Sequence, residues 1–106
     1  MAQIANGTDI LLANGNGFAP GVFQACKEKN IKALGWVDDM SAMAPEVVLT
    51  SGLMSVEELY VQMVDRILSG TTERTVALGF KDGAQSLSQF SGDVPQEVVD
   101  RVNQAI

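Results

Sequence analysis

Short apolar runs alternate along this chain with stretches in which apolar residues recur at helical spacing. Four runs predict strands, at residues 9–13, 31–36, 46–51 and 75–80. Strands of this length separated by helices are typical of a parallel sheet with helices packed on it. The pattern therefore predicts an α/β fold with a parallel, Rossmann-like sheet.

The first long helix is predicted to begin near Pro20, because the fixed φ of proline suits the first helical turn. Val22, Phe23 and Cys26 share its apolar face, which we expect to pack against the sheet. Asn30 follows the polar last turn and is a candidate C-terminal cap. Cys26, the single cysteine of the chain, is therefore expected to be a buried small hydrophobe.

The second helix has the clearest start and stop signals. Ser55 and Glu58 have the spacing of a capping box, in which Glu58 reaches back to the Ser55 backbone. Apolar residues repeat at helical spacing until Gly70, which ends the helix. A last helix is predicted from about residue 95 to the terminus. Asn6 and Gly7 are a helix-stop signal, so we expect the chain to begin with the end of a helix, as part of a larger domain.

Length and charge limit the classes of function. The chain has 106 residues, 46% of them hydrophobic, which is enough for one domain or part of one. A net charge of −6 with no histidine argues against direct binding to nucleic acid or to an anionic membrane surface. No apolar run approaches the length of a membrane span. No signal peptide is apparent; the chain as written would be cytoplasmic, but the sequence gives no direct evidence of compartment and leaves the localisation unknown.

The first candidate for ligand chemistry is the loop Asn14-Gly15-Asn16-Gly17, between a predicted strand and a helix. Ligands of open α/β sheets bind at the carboxyl ends of the strands. Glycines let a ligand approach the backbone, and the helix N-terminus offers free N–H groups. The spacing is not that of a dinucleotide fingerprint, and a plain strand-to-helix turn is the alternative.

Four further residues are candidates for ligand contacts. Asp38 and Asp39 follow the second strand and suit either hydrogen bonds to sugar hydroxyls or roles as acid and base, although paired acids in a loop are more often only solvated. Phe18 either stacks on a flat ring or anchors its helix, and Lys81 either contacts a ligand or is a surface charge. No serine–histidine pair, metal cluster or P-loop occurs in the sequence. We therefore expect no catalytic residue, no metal and no cofactor.

Several of these segments, taken in order, resemble the C-terminal part of the basic membrane lipoprotein family. These proteins are purine-nucleoside receptors with the type I periplasmic-binding-protein fold. The resemblance covers nearly all of the chain and is carried by the segments DILLANGNG, IKALGWVDD, APEVVLTS and LGFKDG. It implies an incomplete α/β lobe that forms the C-terminal portion of a substrate-binding domain, over residues 1–106. The implied ligand is a purine nucleoside, and the family is lipid-anchored outside the cytoplasmic membrane.

The resemblance also implies roles for single residues. It makes Phe18 similar to a base-stacking aromatic and Lys81 similar to a ligand contact. Aligned without a gap, the family's ribose-binding acid falls on Val37, and only Asp39 is kept. A one-residue shift would place Asp38 there instead. This departure resembles the Med-like branch, described as positive regulators of competence genes in bacilli, in which the aromatic residue also follows the glycine.

Two functions follow from the resemblance. One is a non-catalytic binding domain with a nucleoside ligand, and the other is a competence activator that works through a protein partner. An isolated lobe would expose apolar surface and sheet edges. We therefore also expect a homo-oligomer, with exchanged C-terminal elements as one arrangement.

Overall fold

The computed structural model describes residues 2–15, 17–71 and 73–106. Four strands form one sheet in the order β1-β2-β3-β4, in which β1, β2 and β3 are parallel and β4 is antiparallel. The elements are α1 (Ala2–Ala5), β1 (Ile10–Leu12), α2 (Ala19–Lys29), β2 (Lys32–Val37), a first 3-10 turn (Ser41–Met43), β3 (Val48–Met54), α3 (Val56–Leu68), a second 3-10 turn (Phe80–Asp82), β4 (Gln85–Leu87) and α4 (Gln96–Ala105). The predicted α/β fold with a Rossmann-like sheet is confirmed.

The core lies between α2 and one face of the sheet. Phe23 is 3% exposed and Cys26 is fully buried, and both pack with Ala33 of β2 and Val48 of β3. Burying a large apolar side chain such as that of Phe23 stabilises the fold by about 1.5–3 kcal/mol. The sequence-based prediction that Cys26 is a buried hydrophobe is confirmed, and burial raises the pKa of its thiol.

The helix ends follow the predicted signals. Asn30 adopts the left-handed conformation with φ of 52°, and its N–H donates to the carbonyl groups of Cys26 and Lys27. Gly70 has φ of 82°, and α3 ends two residues before it. Both caps satisfy carbonyl groups that a helix end would otherwise leave unpaired.

The strand predicted at residues 75–80 is wrong. The backbone there makes no strand pairing, and the edge strand is β4, which pairs with Gly52–Met54 of β3. The turn that ends at Gly83, with φ of 73°, reverses the chain immediately before β4. Because β4 occupies the free edge of β3, the apolar run that precedes the turn has no strand beside it.

Only one of the two hydrogen bonds of the predicted capping box forms. The Ser55 hydroxyl accepts a hydrogen bond from the Glu58 N–H at 3.3 Å, as expected of an N-cap. The Ser55 N–H donates instead to the Ala84 carbonyl at 2.9 Å. Glu58 accepts from the Gln62 side chain at 2.8 Å. The backbone that leads into β4 therefore replaces the carboxylate as the partner of the Ser55 N–H.

Candidate functional site

A cleft opens at the carboxyl ends of β1 and β2, where the sequence predicted a ligand edge. Its volume is about 330 Å³. Asn14 and Asp38 supply the polar side chains of its wall, one from each loop. The lining residues are Asn14, Gly15, Gly17, Ala19, Pro20, Trp36, Val37, Asp38, Met40 and Met43. A mostly apolar wall with a few polar groups, together with this volume, is typical of small-molecule pockets.

The glycine loop forms one wall of the cleft and depends on its glycines. Gly17 has φ of 81°, a left-handed conformation that side chains rarely adopt. At Gly15 an added Cβ would lie 2.0 Å from Cε1 of Phe18, so the Phe18 ring packs directly over this backbone. Phe18 is half exposed at the start of α2. Asn16 lies outside the described residues, so its proposed ligand contact stays a prediction.

Val37 turns the chain out of β2 toward Asp38. It has φ of 79°, a conformation that is rare for a β-branched residue and costs about 1–3 kcal/mol. Its side chain is 43% exposed, so burial offsets little of that cost. Strained backbone of this kind clusters at ligand-binding sites. Val37 is therefore the one strained non-glycine residue among those described as lining the cleft.

The two acids after β2 have different surroundings. Asp38 lines the cleft, and its Oδ1 accepts a hydrogen bond from the Asp39 N–H at 2.8 Å. The Asp39 Oδ1 accepts from the Ser41 N–H at 2.9 Å and caps the first 3-10 turn. Hydrogen bonds from Ser41 and Ser88 lower the pKa of Asp39, because they stabilise its charged form. Asp38 is therefore the acid that faces the cleft, while Asp39 shapes the loop.

Buried serines hold this loop on the sheet. The Met40 N–H donates to the fully buried Ser51 hydroxyl of β3 at 3.1 Å. The Ser51 N–H in turn donates to the Ser88 hydroxyl at 2.9 Å. A Cβ at Gly35 would lie 2.3 Å from the Ser51 Oγ, so only glycine fits beside it. The position of Asp38 therefore depends on a hydrogen-bond chain that extends across β3.

Lys81 lies apart from the cleft wall. It occupies the second 3-10 turn, which is held by the Asp82 Oδ2 accepting from the Gly79 N–H at 3.0 Å. This turn precedes β4, whose first residue Gln85 pairs with Met54 at the carboxyl end of β3. Lys81 therefore lies near the carboxyl ends of the strands, as Asn14 and Asp38 do, but on the far side of β3. It is not among the residues that line the cleft. Its ligand contact stays a prediction.

The structure thus brings two predicted residues, Asn14 and Asp38, into one cleft. Sequence reasoning did not select Trp36, Met40 or Met43, which also line it. The Trp36 ring packs on Gly52, since a Cβ there would lie 2.8 Å from its Cε3. Trp36 directly follows Gly35, and this glycine–aromatic pair was a sequence signal that could have identified it. Met40 and Met43 belong to no recognisable motif.

Residues 2–15, 17–71 and 73–106 contain no cluster of acids and cysteine that could hold a metal ion. In the same residues no helix has the length and apolar character needed to cross a membrane.

Comparison with known proteins gives consistent results. The family model described as ABC transporter substrate-binding protein PnrA-like (Bmp) matches residues 2–105. The transcriptional activator protein Med of Bacillus subtilis is 28% identical over 101 residues, which are 94% of this chain and 32% of that protein. The crystal structure of a transcriptional activator of the comK gene from Bacillus halodurans superposes with a TM-score of 0.81. It is 30% identical and covers 98% of this chain, which spans 37% of that structure.

Proposed function

We propose a binding function for this chain, which belongs to the PnrA-like family of ABC transporter substrate-binding proteins (Bmp). The family and the Med-like relatives are non-catalytic kinds of protein. The chain spans about a third of the length of those relatives. We propose that it corresponds to the C-terminal portion of such a domain, that it is not an enzyme, and that it binds a small ligand in the cleft at the ends of β1 and β2.

The observation that carries this proposal is the position of the cleft in a chain of this family. In open α/β sheets, ligands bind outside the carboxyl ends of the strands. Here that edge combines the Asn14 amide, the Asp38 carboxylate and an apolar wall that includes Trp36 and Pro20. An amide and a carboxylate beside apolar surface suit a ligand with a flat ring and hydroxyl groups. A purine nucleoside, which the family resemblance also implies, has this chemistry.

Calorimetric titration of adenosine and guanosine tests the proposal. We expect binding that Asp38→Asn weakens about tenfold, because a hydrogen bond to a charged group contributes about 1.5–3 kcal/mol. Asp9→Asn is the matched control, since Asp9 lies before the amino end of β1, at the opposite edge of the sheet. Equal loss in both variants, or no binding by the wild-type chain, would contradict the proposal.

Titration of the Val37→Asp variant is a more specific test of nucleoside binding. The resemblance places the ribose-binding acid of nucleoside receptors on Val37, and aspartate tolerates a left-handed backbone better than valine. We expect this variant to bind nucleosides about tenfold more tightly than wild type. An unchanged or lower affinity would argue that the cleft does not hold a ribose at this position.

A second function, transcriptional activation through protein contacts, is supported by the relatives. Both are described as transcriptional activators, one of them of the comK gene. A net charge of −6 disfavours direct DNA binding, so we propose a protein partner. Expressing the chain in Bacillus subtilis that lacks its own Med protein tests this. We expect a partial recovery of comK transcription, and an unchanged reporter would contradict it.

A further inference from the structure

Helix α3 presents its apolar side away from the rest of the chain. The inward side is mainly polar, since the partly buried residues of α3 are Glu58, Gln62, Met63 and Arg66. The Gln62 amide donates to the Glu58 carboxylate at 2.8 Å and to the Asp82 carbonyl at 2.6 Å. The outer face of α3 consists of Tyr60, Val61, Val64, Ile67 and Leu68, which are between 50% and 79% exposed. A surface helix normally packs its apolar stripe against a core. Among the described residues, the apolar side of α3 therefore has no core to pack against.

One face of the sheet is also uncovered. Ala33 faces α2 and is fully buried, so its neighbour Leu34 and the paired residue Leu12 face the other way. Leu12 is 51% exposed and Ile10 is 45% exposed. In the described part of the chain, α2 is the only helix with buried side chains. The open sheet face consists of Ile10, Leu12, Leu34 and Trp36, together with Lys32, whose ammonium group pairs with Asp93.

The accessible surface area of the chain is large, as expected if both the outer face of α3 and the open sheet face are exposed. The accessible surface is 7412 Å², whereas a compact monomer of 11.3 kDa exposes about 5,700 Å². The radius of gyration is 16.8 Å, against about 13 Å for a compact domain of this length. A permanent homodimer buries about 1,000 Å² or more from each subunit. The excess surface is large enough to supply such an interface.

The outer face of α3 cannot cover the open sheet face of its own chain. Ser55 alone separates β3 from α3, and its N–H is bonded to Ala84. The bond from Gln62 to Asp82 holds the polar side of the helix inward. Turning the apolar side inward would break these bonds, so the apolar side of α3 stays exposed in the single chain.

We propose that two copies of this chain form a two-fold dimer in which α3 of each copy packs on the open sheet face of the other. Both surfaces are mainly apolar, with Lys32 on the sheet face and Glu57 on the first turn of α3 as their charged members. Parallel sheets are normally covered on both faces. A single two-fold rotation places the α3 helix of each copy on the open sheet face of the other. The assembly therefore closes as a dimer instead of growing into a fibre. The inference concerns assembly and does not depend on which ligand the cleft takes, and Trp36 belongs both to this interface and to the cleft wall.

Light scattering coupled to size exclusion tests the dimer. We expect wild type to elute with twice the mass of one chain. Ile67→Lys on α3, or Leu12→Glu on the sheet, should weaken the dimer about a hundredfold. The dimer contains two equivalent contacts, and each variant is expected to weaken both of them about tenfold. Ile67→Leu should keep it. Gln3→Lys and Gln3→Glu, which make the same charge changes on exposed α1, should also keep it.

Mixing the two interface variants makes the test specific for the exchanged arrangement. A mixed dimer of the Ile67→Lys and Leu12→Glu chains contains one wild-type contact and one contact with opposite charges. We expect the mixture to regain dimers that neither variant forms alone. Circular dichroism should show both variants folded, since both side chains are exposed in the single chain. A monomeric wild type, variants that stay dimeric, or a mixture without recovery would each overturn the proposal.

Discussion

Adjacent acids after β2 show how single residues acquire different roles in this fold. Asp38 faces the cleft, while Asp39 accepts the Ser41 N–H at 2.9 Å and caps a 3-10 turn. The sequence identified both as candidates because they follow a strand. It did not separate them, because the difference arises from Val37, whose φ of 79° redirects the chain before them. A left-handed valine contradicts its own conformational preference, so no local signal predicts it.

The lowered pKa of Asp39 predicts a contribution to acid stability. A carboxyl group whose pKa is lower in the folded state stabilises the fold above its unfolded pKa of about 3.9. That stability is lost as the pH falls through the folded value. We expect Asp39→Asn to flatten the dependence of the unfolding free energy on pH below about pH 4.

Urea unfolding measured at a series of acidic pH values checks this prediction. The amide oxygen that the Asp39→Asn variant carries can still accept the Ser41 N–H, so the loop should keep its shape. Asp9→Asn, which removes an acid at the other end of the sheet, should keep the wild-type slope. A slope for Asp39→Asn equal to that of wild type would contradict the assignment.

At the scale of elements, sequence signals predicted helices better than strands. Caps are local: Asn30 and Gly70 end α2 and α3 through their own backbone conformations. Strand pairing is not local. The apolar run at residues 75–80 has the composition of a strand, but β4 occupies the edge of β3. Which of two neighbouring segments pairs with β3 depends on the turn at Gly83, and the periodicity of neither segment contains that information.

The half-formed capping box at the start of α3 predicts unequal effects of substitution. Ser55→Ala removes the hydroxyl that accepts the Glu58 N–H, and we expect it to lower the free energy of unfolding by about 1 kcal/mol. Glu58→Gln should cost less than about 0.5 kcal/mol, because the Ser55 N–H is bonded to Ala84 and loses nothing. Urea unfolding of the two variants checks the order, and a larger loss for Glu58→Gln would contradict it.

At the scale of the molecule, the sequence predicted the fold class, the family and an incomplete burial of apolar surface. The α/β order followed from hydrophobic periodicity, and the polar residues after the strands indicated the end of the sheet at which the cleft lies. Periodicity predicted α3 as an amphipathic helix without indicating which way its apolar side faces. That orientation is fixed by the tie from Gln62 to the Asp82 carbonyl. A helical pattern alone therefore does not reveal whether an apolar stripe faces the core or a second molecule.

The lone thiol between α2 and the sheet is a natural reporter of internal motion. Cys26 is the single cysteine of the chain, and its side chain is fully buried. A thiol reagent reaches it only when α2 lifts from the strands or the whole chain unfolds. The rate of labelling therefore measures how often that layer opens, with no engineered probe. Added nucleoside would slow this rate if the closed state is the one it binds, because α2 also forms a wall of the cleft.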